Sequence, residues 1–426
     1  MVSLKKILSL FLVFFIIFTF TFPILAKPLL FAPKNEFEVH SYWKGGYDGI
    51  ARNKLFEDFK SKFPGINIVH ANISCRPEEK MNNLLLERIF KGNPPDVLQV
   101  HSGPELINKY VKNNALEPLT SLLKEWDLFN KYNPMLLKMS SYEGEVYALP
   151  VTMHRGNIIF YNKHILEKLN IDKPHDFETL ISSMDIIQKN NILPLALGNV
   201  DNKSLLHLYE NILIDTLGIY SYQNFCDGDI ALDNPTIKYT LQLFKKVTSY
   251  MNYDYQNINW QQAVEMVYEG KAAYTIMGDW AVNYFKSLGA IPRQNFDWIV
   301  VGAPNSFMLI CDSFSIPKNL LHKEKSKAWL KVISDQNCQF ELNQIKGTLS
   351  TRLDLDDCDF KDPYLNDPIN NYDLNYFIYY PSMAYGCAAP DGLRLILNQI
   401  LSNYILNRNI NNAQYDLMIA VNNLNY

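Results

Sequence analysis

Gln99 and His101 flank Val100 at the end of the apolar run in NPPDVLQVHSGPEL (Asn93–Leu106), just before a Ser102-Gly103-Pro104 turn that opens a helix. In open α/β sheets, ligands settle beyond the carboxyl ends of the strands, so two polar side chains at that spacing can face the same guest. Further residues of this kind sit at other expected strand ends and turns. Trp43 follows the first strand; His154, Arg155 and Asn157 lie in a loop between two short strands. Asp279-Trp280 occupies a strand-to-helix turn, Asp312 sits inside a late strand, and Lys346 lies in a loop. Asp accepts hydrogen bonds, Lys and Arg donate them, and Gln and His do either, while an indole offers a flat face to C–H groups. The set suits a neutral, hydroxyl-rich ligand such as a sugar ring, held by charge-assisted hydrogen bonds that read hydroxyl stereochemistry.

Each residue also has a plainer reading. Trp43 and Trp280 could be core aromatics, His101 and His154 structural histidines, Asp312 a turn cap and Lys346 a solvated surface lysine. No Cys/His ligand spacing supports a metal, and no cofactor is expected. There is no GxxxxGK[ST], no GxGxxG after a strand, no HExxH and no GxSxG, so the local signatures of nucleotide hydrolysis, nicotinamide chemistry, zinc proteolysis and α/β-hydrolase chemistry are missing. Carboxylates are plentiful and none stands out as a pair, which leaves a glycosidase-type arrangement open.

The elements that must position these residues follow from periodicity. Glu36–Trp43 reads as a strand, Leu55, Phe56, Phe59 and Phe63 as the inner face of a helix stopped by Pro64-Gly65, and Ile66–Val69 as a second strand. Met81, Leu84, Leu85 and Ile89 mark another helix before the strand Asp96–Val100 and the helix Glu105–Val111. This βαβαβα run predicts a mainly parallel sheet with helices on both faces. Val146–Val151 and Ile158–Tyr161 read as strands, with Pro150–Thr152 a crossover to a mostly helical region. That region is expected to hold helices at Ile165–Leu169, Phe177–Gln188, Leu205–Leu217, Thr236–Tyr250, Trp260–Tyr268 and Ala281–Leu288, and strands at Ala272–Met277 and Trp298–Val301. Gly302-Ala303-Pro304 is a second crossing; Met308–Ile316 holds a strand and Lys323–Ser334 a helix, and the tail beyond Pro381 holds a turn at Tyr385–Pro390 and two helices.

With 426 residues, the chain is long enough for two or three domains. Its 48% hydrophobic and 20% charged residues are those of a folded chain. The net charge of −4 advertises neither a nucleic-acid nor an anionic-membrane surface. Lys5 and Lys6 precede an apolar stretch from Ile7 to Leu25, closing on Ala26, in the layout of an export signal cleaved after Ala26. Ile24 is larger than a cleavage site prefers, and the stretch is long enough to serve as an uncleaved anchor. Either way the protein is exported, to the periplasm or the extracellular face. The six cysteines form no CxxC, and the sequence selects no disulfide pairing.

Taken together, YWKGG, FKSKFPGI, GNPPDVLQVHSGPEL, VYALPVTMHRGNIIFYNK, LPLALG, GKAAYTIMGDWAVNYF, CDSFSIPK, IKGTLSTR and YGCAAP resemble, in order and spacing, the family-1 extracellular solute-binding proteins of ABC sugar importers, above all the glucose/mannose-type branch. The resemblance implies a two-lobed α/β fold of the type II periplasmic-binding-protein kind, with a sugar clamped between lobes 36–150 plus 304–349 and 151–303 plus 350–426. The family's sugar contacts would fall on Trp43, Gln99, His101, His154, Trp280, Asp312 and Lys346, with Arg155 and Asn157 as further candidates. Lys44 stands where the branch tends to be acidic, Tyr385 where it tends to have His, and Asn199–Asn202 lacks a Trp often present there. Tyr385 can still make one hydrogen bond, so the ligand class survives these departures although glucose itself does not follow. The implied protein is a monomer without enzymatic activity that delivers a sugar to membrane permease subunits powered by a separate ATPase. Crossings near Val151, Pro304 and Ser350 would act as its hinge. The alternatives are an exported carbohydrate-active enzyme and a sensory sugar-binding protein.

Overall fold

The computed structural model describes residues 36–71, 78–231, 234–302, 305–320, 323–355, 362–367 and 377–423. The proposed export signal, the Ala303-Pro304 crossing, Cys75 and Cys358 lie outside them. Cys226, Cys311, Cys338 and Cys387 are buried free thiols. Among the described residues no helix is long and apolar enough to cross a membrane.

In chain order the strands are β1 (Glu36–His40), β2 (Asn67–His70), β3 (Val97–His101), β4 (Ser141–Tyr142), β5 (Glu145–Val146), β6 (Leu149–Arg155), β7 (Ile158–Asn162), β8 (Leu193–Ala196), β9 (Ala272–Met277), β10 (Phe296–Val300), β11 (Ser306–Ser315), β12 (Leu349–Ser350) and β13 (Ile378–Pro381). Within the compact unit Phe37–Tyr426 they build two main sheets. The first has the order β12-β6-β11-β3-β1-β2, with β13 also pairing β11; the second has the order β10-β7-β9-β8.

The expectation of a mainly parallel sheet needs correction. β1 and β3 are parallel as predicted, but β11 runs antiparallel to both β3 and β6, and β7 is antiparallel to both of its neighbours. The βαβ rhythm of the first hundred residues could not reveal strands that return from two hundred residues later. Pro150–Thr152 lies inside the seven-residue strand β6 and Ser350 ends β12, so both belong to the first sheet. His154 and Arg155 likewise end a strand and do not occupy a loop.

Between β6 and β11 the register slips. Asp312 pairs with Thr152, and the next residue, Ser313, pairs with Pro150. Val151 is the extra residue of a β-bulge, a device that bends a strand and re-aims its side chains.

Several helices begin as their caps dictate. Asp176 and Thr179 form a capping box at the start of Phe177–Lys189, and Asn259 and Gln262 form one at Trp260–Tyr268. In Gly46–Lys62, Leu55 and Phe59 are buried against Phe37 and Trp329, whereas Phe63 is the C-cap and leaves the core. Lys346 is also displaced from its expected loop. It is the last residue of the helix Gln336–Lys346, which ends because Gly347 adopts the left-handed conformation (φ 66°) that a side chain would strain.

Candidate functional site

A cavity of about 290 Å³ opens between the end of the first sheet and the loops and helix starts facing it. Trp43, Gln99, His101, His154, Trp280, Asp312, Lys346 and Tyr385 all line it. Arg155 and Asn157 do not, and there the expectation fails. The Arg155 guanidinium is fully buried, stacked on Phe307 and Phe377 with Cζ 4.2 and 4.8 Å from the ring centroids, and donates to the Ser306 carbonyl. Asn157 donates to the carbonyl of Val301 and accepts from the Met308 amide, tying β10 to β11. Side chains alternate along a strand; His154 points to the cavity, and Arg155 therefore points away from it.

Asp312 is the centre of the deep wall. Its Oδ2 accepts from Trp43 Nε1 at 3.0 Å and from Thr152 Oγ1 at 3.3 Å, and lies 3.4 Å from His154 Nε2. Its Oδ1 lies 3.4 Å from His101 Nε2. Each histidine is held from behind by a second carboxylate. His154 Nδ1 is 2.6 Å from Asp279 Oδ1, and His101 Nδ1 is 3.1 Å from Glu105 Oε2. Asp279 also accepts from the Arg155 amide, and Glu105 from the His101 amide and the Tyr42 hydroxyl. Burial alone would lower both imidazoles, but the flanking carboxylates outweigh it: His101 is raised, and His154 is held at about 9. Burial would raise Asp312; His154, Lys346 and His101 instead hold it well below the ordinary carboxylate range.

Lys346 places its ammonium 4.2 Å from the Trp43 ring and pairs with Asp48. Gln99 accepts from the Tyr42 amide at 2.9 Å, and its own Nε2 has no hydrogen-bond partner among the described residues. Tyr42 stacks on His101 with centroids 5.1 Å apart.

The facing wall is built differently. Trp280 opens the helix Trp280–Ser287 and packs edge-on to His154 and Tyr385, with centroids 5.4 and 5.0 Å away. Its indole lies against Gly278, where an added Cβ would come within 2.2 Å of the ring. Tyr385 also packs edge-on to His207 and under the Lys203 ammonium, 5.3 Å from its centroid. Burial, and then Arg394, bring Lys203 down to about 7. The turn bearing Tyr385 is anchored by Glu210, which accepts from Ser382 Oγ at 2.9 Å, from the Met383 and Ala384 amides and from the Tyr222 hydroxyl. Asp201, Asn259, Trp260 and Gln261 complete this wall. Sequence reasoning missed them because they occupy loops and a helix start, with neither periodicity nor a strand end to mark them. The Asn259 capping box was the available signal.

A family profile described as bacterial extracellular solute-binding protein matches residues 47–335. An uncharacterised ABC transporter extracellular-binding protein of Pyrococcus horikoshii is 31% identical over 389 residues, 91% of this chain and 87% of that protein. A glucose-binding protein of Saccharolobus solfataricus is 26% identical over 300 residues, 65% of this chain and 54% of its own length. Among solved structures, a bacterial solute receptor described as having an exclusive preference for β-D-galactopyranose superposes with a TM-score of 0.78 at 14% identity, covering 92% of this chain and 100% of that one.

Proposed function

This chain belongs to the bacterial extracellular solute-binding proteins, and from that premise we propose that it is the sugar-capturing component of an ABC importer. The observation that carries the reading is the make-up of the cavity. Aromatic rings from Trp43, Trp280 and Tyr385 share it with polar groups that both donate and accept. A sugar offers C–H faces to the first and hydroxyls to the second. The glucose of the Saccharolobus solfataricus protein and the galactopyranose of the superposed receptor are ligands of the same class.

The ligand contacts are Trp43, Gln99, His101, His154, Trp280, Asp312, Lys346 and Tyr385. Lobes 36–150 with 304–349 and 151–303 with 350–426 shut on the guest, pivoting at the crossings near Val151, Pro304 and Ser350. The ligand drives closure only as far as it prefers the closed form. The monomeric, loaded protein then docks on permease subunits, and a separate ATPase supplies the energy of uptake. The chain performs no chemistry on the sugar. A thermal-shift screen against mono- and disaccharides tests the assignment, since a ligand of the native state raises the melting temperature with dose. Stoichiometric binding with the sugar recovered intact after long incubation is expected; repeated turnover would favour the carbohydrate-active enzyme instead.

A further inference from the structure

Five side chains form an unbroken alternation of acid and imidazole through the deep wall: Glu105, His101, Asp312, His154, Asp279. The outer links are direct, 3.1 Å at Glu105 and 2.6 Å at Asp279, while both inner links, from each Nε2 to Asp312, are 3.4 Å. Glu105 and Asp279 do not line the cavity and are almost completely buried. We infer that Glu105 and Asp279 are positioning residues that favour the doubly protonated forms of His101 and His154 and hold their Nε2 atoms toward Asp312, presetting the cavity for two adjacent hydroxyls of one ligand.

The inner spacing is the reason. At 3.4 Å the imidazole and the carboxylate are too far apart for a good direct bond, yet a hydroxyl oxygen can sit about 2.8 Å from both. Such a hydroxyl accepts from the imidazolium N–H and donates to the carboxylate. Asp312 has one oxygen toward each histidine, so it can take two hydroxyls side by side, the bidentate geometry that neighbouring carbons of a sugar ring supply. A neutral histidine whose remaining proton stays on Nδ1, facing its carboxylate, would offer Nε2 as an acceptor and lose the N–H. The outer carboxylates make that loss unfavourable. The other groups facing this chain include Arg394, 3.8 Å from Glu105 and opposing the protonation of His101; the Tyr42 hydroxyl on Glu105; and Lys346 and Lys203, which both act on Asp312. The inference rests on the sugar-binding reading for its ligand and on the side-chain geometry for its protonation states.

The test has two arms. Imidazole ¹⁵N shifts of the ligand-free protein, followed against pH, are expected to show His154 doubly protonated at pH 8 in the wild type, with its titration moved down by at least one pH unit in Asp279→Asn and that of His101 moved down in Glu105→Gln. In the second arm the affinities for D-glucose, D-galactose and D-xylose, with their monodeoxy analogues, are measured by calorimetry from pH 6 to 10. Above pH 8, where Lys203 has already lost most of its charge, affinity should fall at least tenfold by pH 10, and that fall should begin at lower pH in Asp279→Asn. Two neighbouring deoxy positions should each cost at least tenfold. Unmoved imidazole titrations in folded variants would overturn the inference, as would sugar binding without a change of pH midpoint. If none of the three sugars binds, the sugar reading and the hydroxyl pair fall together, and the imidazole titrations still decide what Glu105 and Asp279 do.

Discussion

The two walls of the cavity are held by different physics. In the deep wall, Trp43, Gln99, His101, His154, Asp312 and Lys346 are all buried, and hydrogen bonds or ion pairs fix each of them. In the facing wall, Asp201, Lys203, Asn259, Trp260, Gln261, Trp280 and Tyr385 are all partly exposed, and the aromatic members are placed by edge-to-face packing. A hydrogen-bonded network in a low-dielectric setting has one good arrangement and penalises every other. Packed rings on loops can shift by small amounts at little cost. On the proposed sugar-binding reading, the difference would give stereochemical reading to the first wall and tolerance in size and outline to the second.

Substitutions can break this division. The largest effect is expected from Trp43→Ala, which should lower stability by about 3–5 kcal/mol, as for other buried Trp truncations, and abolish sugar binding; chemical denaturation with calorimetry measures both. Asp312→Asn should follow, weakening binding by about 3 kcal/mol through the loss of charge-assisted bonds while the protein stays folded. Trp280→Ala should cost about 1–3 kcal/mol of binding, the loss of one aromatic contact, with little change in melting temperature. If it lowers stability as much as Trp43→Ala does, the two walls are not distinct. Tyr385→His is expected to be smallest, altering the order of preference among sugars in a titration panel by less than about tenfold, which is about 1.4 kcal/mol.

Acidity offers a fifth comparison. His154 is raised, so its contribution to stability is complete below pH 6.5 and is lost as pH rises through about 9. Melting temperature should therefore decline over that window, and the decline should shrink in Asp279→Asn.

The same division governs what could be read from the chain. Strand ends are visible as breaks in a period-2 pattern, and Gln99, His101 and Trp43 were legible there as polar or aromatic residues where apolar ones stop, while Asp312 was legible as a charge inside an apolar strand. The helix Trp260–Tyr268 and the strand Ala272–Met277 lie where their patterns predict. Arg155 and Asn157 were misplaced because the pattern could not tell the two faces of β6 apart, nor show that Phe307 and Val301 wait to receive them. Asp201 and Lys203 were illegible because their role depends on a turn 180 residues further on. Glu105 and Asp279 were within view, one inside a quoted segment and the other beside Trp280, but nothing local reveals that each stands behind a histidine.

The slipped register between β6 and β11 has a further consequence. Val151 is unmatched one residue from Thr152, whose hydroxyl touches Asp312, and β11 is itself the strand that carries Asp312. Flexing at that irregularity cannot leave the carboxylate where it was. On the proposed sugar-binding reading, an empty and an occupied protein should thus differ first in the surroundings of Asp312, which would make this residue a gauge of how far the two halves have turned.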